Sequence, residues 1–223
     1  MRYWEILEKL DLVPWWAEFV QTNRSNRLPY HNLQHAMYMV EDAYEGALAE
    51  GLATTDTHPI IKALIMAAIF HDYGHTGGVF HLAAGSPYPP DSENIAIAVA
   101  KVSSLLRSGF WPSGVSLDMV IASIKATEYP YTESPENITP SGRILRDADL
   151  LTSAKITFVP HVIYGLSEEM GYPLKTLAQG EKIFLMKVVM TTEWGRTHWA
   201  VELPRIIEEL DFFSQTLATD PPR

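Results

Sequence analysis

The sequence predicts an all-α protein, and two observations carry this prediction. Apolar residues recur at helical spacing through most of the chain, and no stretch of any length alternates apolar and polar residues as a half-exposed strand would. Proline and glycine residues separate the periodic segments, as they do at helix ends. We therefore expect a compact multi-helix bundle that forms a single domain over residues 1–223.

The helices predicted from this periodicity follow one another along the whole chain. Gly51 stands where a helix C-terminus favours glycine, Pro29 keeps the residue before it extended, and Ser116 and Thr139-Pro140 are typical of helix starts. The predicted helices cover residues 4–10, 14–20, 31–51, 60–70, 91–108, 117–127, 139–151, 159–171, 178–194 and 197–213.

The most apolar segment, residues 60–70, contains one charged residue, Lys62. It is too short to span a bilayer, which takes about 20 apolar residues, so we expect a helix that is buried on nearly all sides. Pro59 suits the first turn of this helix, and Thr55 or Asp56 can cap its start.

This segment leads directly into His71 and Asp72, and His75 follows four residues after His71. A buried helix that carries an imidazole and a carboxylate into the interior is unfavourable unless a partner binds them. A bound cation is the most economical partner.

Two further predicted helices add His35 and Asp149 as candidate metal ligands. Asp147 competes with Asp149 for the ligand role, although Asp147 could be a solvated helix charge. Two nitrogen and two carboxylate ligands suit Zn, Mn, Fe or Ni better than Ca, and Mg is possible beside a phosphate substrate. The candidate ligand set, drawn from three predicted helices, is His35, His71, Asp72 and Asp149.

Composition restricts the class of protein. The chain has no cysteine, which excludes disulfides, thiolate zinc sites and cysteine nucleophiles. A formal net charge of −10 argues against a long nucleic-acid partner, but not against a small phosphorylated substrate, because bound cations can reverse the local charge. No N-terminal segment resembles a signal peptide, so we expect a cytoplasmic protein without a membrane partner.

Residues 30–36 (YHNLQHA) and 71–77 (HDYGHTG) resemble the two metal-site motifs of the HD-domain phosphohydrolase superfamily. Within it they are most similar to class I cyclic-nucleotide phosphodiesterase catalytic domains. Glu93-Asn94, residues 126–128 and residues 148–150 follow in the order of that family's later motifs. The resemblance places the metal-site core at about residues 29–151, with C-terminal helices over 159–217 completing the pocket.

The resemblance also implies roles for individual residues. One or two divalent ions (Mn, Mg, Zn, Fe or Ni) would activate water to attack a phosphodiester in a small nucleotide, with a 3′,5′-cyclic nucleotide as first choice. His31 would act as the general acid, and Asp72 would bridge to the second ion. The first ion would be bound by His35, His71, Asp72 and Asp149, and the surrounding water would be oriented by His75, Glu93 and Glu128.

The chain departs from the family pattern at two places. Ile95-Ala96 stands where the family has a His pair. The family's base-binding Gln is followed three residues later by Phe, whereas Gln179 is followed at that distance by Lys182, and Phe184 is out of register. The sequence therefore does not assign the residues that bind the base.

Three alternatives remain open. One is a nucleotide phosphomonoesterase with the same metal core, and another is a non-catalytic nucleotide-binding protein. The third is a dinuclear-iron HD oxygenase, although only His75 and His81 could add imidazole ligands between Asp72 and Asp149. His81 lies in a long loop, Gly77 to Asp91, that could cover the pocket.

Overall fold

The structure is a computed structural model that describes residues 1–77, 91–154 and 158–219. Within these ranges it contains α-helices, short 3₁₀ turns and one π-helical turn but no strand, which confirms the predicted all-α fold. The α-helices, numbered in chain order, are α1 Tyr3–Lys9, α2 Val13–Thr22, α3 Leu33–Ala49, α4 Pro59–Phe70, α5 Asp91–Arg107, α6 Leu117–Lys125, α7 Pro140–Thr152, α8 Tyr164–Met170, α9 Leu174–Leu185 and α10 Glu193–Thr219.

Helix α4 is the predicted central helix. Ile61 and every residue from 63 to 70 are buried, and the helix packs against α3, α6 and α7. Complete burial of a large aliphatic side chain contributes about 1.5–3 kcal/mol, so this helix supplies much of the core. In the described ranges no helix is both long enough and apolar enough to cross a membrane.

The start of α4 differs from the prediction. Pro59 lies in the first turn as expected, but the capping residue is His58, whose Nδ1 accepts a hydrogen bond from the Ile60 amide at 3.3 Å. The expectation of a cap at Thr55 or Asp56 is therefore wrong. A histidine nitrogen supplies the acceptor that the helix start requires.

Side-chain caps begin the two other helices that carry candidate ligands. The Asn32 side chain accepts hydrogen bonds from the amides of Gln34 and His35, so α3 starts at residue 33. The Thr139 hydroxyl accepts from the Gly142 amide at 3.1 Å and starts α7. The start of α7 agrees with the sequence prediction, and α3 starts two residues after the predicted residue 31.

The predicted single helix over residues 178–194 is wrong. Helix α9 ends at Leu185, α10 begins at Glu193, and residues 186–192 lie outside the helices. Helical spacing of apolar residues continues through the break, because Met190 and Trp194 also face the core. Periodicity alone could not reveal the interruption.

Asp147 stabilises this interruption. Its buried carboxylate accepts hydrogen bonds from the amides of Thr191 and Thr192 at 3.0 and 2.7 Å, and from their hydroxyls at 2.9 and 2.7 Å. Gly195 lies so close to the carboxylate that a Cβ would not fit. The interpretation of Asp147 as a solvated helix charge is therefore wrong.

Candidate metal centre

Four side chains from α3, the C-terminus of α4 and α7 converge. His35 Nε2 lies 3.2 Å from each of three atoms, namely His71 Nε2, Asp72 Oδ2 and Asp149 Oδ1. His71 Nε2 lies 3.0 Å from Asp72 Oδ2 and 3.8 Å from Asp149 Oδ1. The structure thus brings together all four residues that the sequence suggested as metal ligands, and it places Asp149 rather than Asp147 among them.

The spacing of these atoms fits a bound transition ion. Ligands at about 2.0–2.2 Å from a metal lie roughly 3.0–3.5 Å from one another. His71 Nδ1 lies 2.9 Å from the Ala68 carbonyl oxygen, which can only accept, so Nδ1 carries the proton and Nε2 is free to bind an ion. Two buried imidazole nitrogens that face each other at 3.2 Å require a cation or a proton between them.

One buried polar atom of the cluster supports the same assignment. Asp72 Oδ2 has no hydrogen-bond partner among the described residues. Burial would raise the pKa of Asp72, but the adjacent imidazoles of His71 and His35 hold that pKa well below its usual range. The carboxylate therefore stays ionised and can act as a ligand.

The turn after Asp72 depends on glycine. Gly74 has a φ of +75°, and a Cβ at this position would lie 2.6 Å from Ile97 Cγ2. The Gly74 amide donates to Asn23 Oδ1 at 2.9 Å, and the Ser25 hydroxyl donates to the Asp72 carbonyl oxygen at 3.3 Å. These contacts fix the backbone that carries the candidate ligands.

A His–Glu pair lies beside the cluster. His31 Nδ1 lies 2.7 Å from Glu169 Oε2, and Glu169 Oε1 accepts from the amides of Tyr30 and His31 at 2.6 and 2.8 Å. Burial opposes the charged form of His31, but Glu169 outweighs it and raises the pKa of this imidazole. The His31 ring centroid is 5.9 Å from that of His35, which suits proton transfer to a molecule at the cluster.

Sequence reasoning missed Glu169. Its side chain reaches His31 because α8 approaches closely at Gly165, where a Cβ would lie 3.1 Å from Tyr30 Cβ. The signal was present, since Glu169 falls on the same helical face as the buried residues Val162 and Leu166. A carboxylate on an apolar helix face needs a partner, and that partner is His31.

His75 packs flat against His31. The two rings lie 3.8 Å apart at 19°, and His75 Nδ1 accepts a hydrogen bond from the Gly77 amide at 3.1 Å. Burial and the neighbouring His31 lower the pKa of His75 to about 3, so this imidazole is neutral. It can therefore hold the His31 ring in place without competing for its proton.

Asp72 and Asp149 of the cluster and His31 of the His–Glu pair line one cavity of about 220 Å³. The rings of Tyr129, Tyr131 and Phe184 form part of its lining, together with the acidic side chains of Asp72, Asp149 and Glu181. The described residues of the lining include no lysine or arginine. This described part of the lining thus offers little positive charge to an anionic ligand.

Glu93 and Glu128, the other predicted water-orienting residues, are exposed and do not line this cavity. Their neighbours Asn94 and Thr127 do line it, and Asn94 Oδ1 accepts from the Thr76 amide at 3.4 Å. The role of both glutamates stays a prediction.

Two other features of the sequence concern the base-binding residues and the loop predicted to cover the pocket. Gln179 is exposed, whereas Phe184 lines the cavity with Glu181 three residues before it. Residues 78–90, which form most of the predicted covering loop and include His81, lie outside the described residues.

Comparison with known proteins supports the fold. No protein-family model and no curated protein matches the sequence. Two similar solved structures are crystal structures of the phosphodiesterase domain of a rhodopsin–phosphodiesterase fusion protein from the choanoflagellate Salpingoeca rosetta. The first is 17% identical, with a TM-score of 0.51 over 96% of this chain and 88% of that chain. The second is 18% identical, with a TM-score of 0.52 over 96% and 80%.

These similarities confirm the resemblance between this chain and phosphodiesterase domains at the level of the fold. The chain has the all-helical fold of such domains. Substrate and mechanism do not follow from a likeness at this identity, because one fold can host several chemistries.

Proposed function

We propose that this protein is a metal-dependent phosphohydrolase that cleaves a phosphodiester in a small nucleotide, with a 3′,5′-cyclic nucleotide as first choice. The observation that carries the proposal is the position of the His31–Glu169 pair beside four converging ligand side chains, with His31, Asp72 and Asp149 lining one cavity. The phosphodiesterase-domain fold agrees with it.

The ion proposed at His35, His71, Asp72 and Asp149 is Mn, Mg, Zn, Fe or Ni, and a second ion could share Asp72. A divalent cation, when bound there, lowers the pKa of water and offsets the charge of phosphoryl oxygens. A phosphate ester needs the positive charge of such a cation, because the cavity lining is acidic and its described part holds no lysine or arginine.

His31 is the proposed general acid. Glu169 holds Nδ1, which leaves Nε2 to donate a proton to the departing ribose oxygen. The raised pKa of His31 keeps the proton available near neutral pH. Stacking of His75 on one face of the ring limits its rotation.

We also propose that the whole chain forms the functional unit. Residues of α8 and α9 complete the cavity around ligands that stand on α3, α4 and α7. A division into separate domains would remove Glu169 from His31.

The test is turnover by purified protein loaded with Mn or Mg, using cyclic AMP, cyclic GMP and an aryl phosphodiester as substrates. We expect hydrolysis of at least one, with a 3′- or 5′-monophosphate as product from a cyclic nucleotide. Asp72→Ala should abolish turnover and reduce bound metal while keeping the helical circular dichroism. If metal-loaded protein turns over none of the three, the proposal is wrong.

Product and metal analysis separates the alternatives. Release of inorganic phosphate from nucleoside monophosphates would identify a phosphomonoesterase. Two irons per chain with oxygen consumption would identify an oxygenase. Nucleotide binding without turnover would identify a non-catalytic protein.

A further inference from the structure

Glu181 is a cavity-lining carboxylic acid to which the proposed mechanism gives no role. It stands on α9 and is half-buried at the cavity wall, and desolvation there raises its pKa to about 7. Among the described residues it has no hydrogen-bond or ion-pair partner. Its neighbour Lys182 pairs instead with Asp211 at 2.5 Å. Burying such a group is unfavourable, which indicates that it serves a ligand.

Aromatic rings lie beside this acid. Phe184 is nearly one turn further along α9 and lines the same cavity. Its ring centroid lies 5.5 Å from that of Tyr129 at 84°, and Tyr129 lies 5.5 Å from Tyr131. Flat apolar faces beside a hydrogen-bonding group suit a planar heterocycle.

Tyr30 connects this part of the cavity with the candidate metal centre. Tyr30, Asp149 and Glu181 all line the same cavity. A nucleotide with its phosphate at the ligand cluster could extend its base toward Glu181.

We propose that Glu181 binds the base of the substrate and selects guanine by accepting two parallel hydrogen bonds from its N1–H and 2-amino groups. This inference rests on the proposed function, because it takes the cavity as a nucleotide site. It adds a specificity-determining residue that is separate from the metal centre and the general acid.

The choice of guanine follows from donor and acceptor chemistry. With a pKa of about 7, Glu181 is about half ionised at neutral pH, and pairing with two N–H donors favours the ionised form. That form only accepts hydrogen bonds, at two oxygens. Guanine carries two adjacent N–H donors on one edge, which match both oxygens in a charge-assisted pair. Adenine carries one donor beside the N1 lone pair, and that lone pair would face a carboxylate oxygen. Hypoxanthine keeps the N1–H donor but lacks the amino group.

The test measures binding of guanosine, inosine and adenosine by titration calorimetry. These nucleosides contain no phosphate, so their binding does not depend on turnover. Wild-type protein should bind guanosine about 10-fold or more tightly than either of the others. Glu181→Gln should reduce this preference to about 2-fold or less. Glu168→Gln makes the same change at an exposed position one helix earlier and should keep the preference.

The outcomes are distinct. Equal binding of the three nucleosides, preference for adenosine, absence of binding by folded wild-type protein, or an unchanged preference in Glu181→Gln would each overturn the inference. Circular dichroism establishes that each variant is folded. If guanosine is preferred but no phosphodiester is cleaved, the proposed function fails and the role of Glu181 stands.

Discussion

The imidazole of His31 and the carboxylate of Glu169 lie 2.7 Å apart although 138 positions separate them in the chain. The same carboxylate also accepts the amides of Tyr30 and His31. One acidic group thus orients both the ring and the backbone of the proposed general acid. This arrangement leads to a prediction about pH dependence.

Glu169→Gln should move the basic limb of the pH profile of kcat/KM to lower pH. Glu169 raises the pKa of His31 against the effect of burial, so loss of its charge lowers that pKa. His31 would then lose its proton at a lower pH, and activity near pH 8 should fall about 10–100-fold. Glu168→Gln is the matched control, and a basic limb that stays in place in Glu169→Gln would contradict the assignment.

Metal binding at neutral pH should release a proton from the ligand cluster. Burial opposes a charge on His35, but Asp149 and Asp72 raise its pKa to about 10, so the metal-free residue carries a proton that the ion must displace. Metal affinity should therefore increase as pH rises toward that value. Titration calorimetry in buffers of different ionisation enthalpy measures the released protons, and a release near zero would argue against His35 as a ligand.

Asp147→Asn should reduce stability and Asp149→Asn should reduce metal affinity, although they are the same change two residues apart on α7. The side-chain NH₂ of the asparagine at position 147 would face the backbone N–H and hydroxyl donors of Thr191 and Thr192. We expect this to lower the free energy of unfolding by about 2–4 kcal/mol. Asp149→Asn should reduce metal affinity and alter the unfolding free energy of metal-free protein by about 1 kcal/mol or less.

Urea unfolding and metal titration distinguish these two effects. Equal loss of stability in both variants would mean that Asp149 is structural. Normal metal binding by Asp149→Asn would remove it from the proposed ligands.

Gly74→Ala should reduce metal affinity, whereas Gly51→Ala should not. Both glycines have positive φ, so each substitution should cost about 1 kcal/mol in backbone conformation. Only at Gly74 does the added Cβ meet another side chain, Ile97 Cγ2 at 2.6 Å. Relief of that contact displaces the turn next to Asp72. Parallel metal titrations of the two variants check this, and equal affinity would contradict it.

The sequence predicted those parts of the site that lie in local motifs. His31 and His35 are four residues apart on a helix start, and His71 and Asp72 end the most apolar helix, so each pair was visible by spacing. Asp149 required the resemblance to a family, because helical period does not distinguish it from Asp147.

Residues that act through long-range contacts could not be predicted from local patterns. Glu169 and Glu181 each occupy the inward face of a helix, and only the packing of α8 and α9 shows what they face. The break between α9 and α10 was hidden for a similar reason, since Asp147 makes it from 44 positions away.

The bonds of Asp147 have a consequence for shortened forms of the chain. Helix α7 presents Asp147 to residues 191 and 192 and presents Asp149 to the cavity. Truncation before residue 191 would remove the amide and hydroxyl donors that bind Asp147, on the helix that supplies Asp149. The C-terminal thirty or so residues therefore act as scaffolding for a centre to which they contribute no proposed ligand.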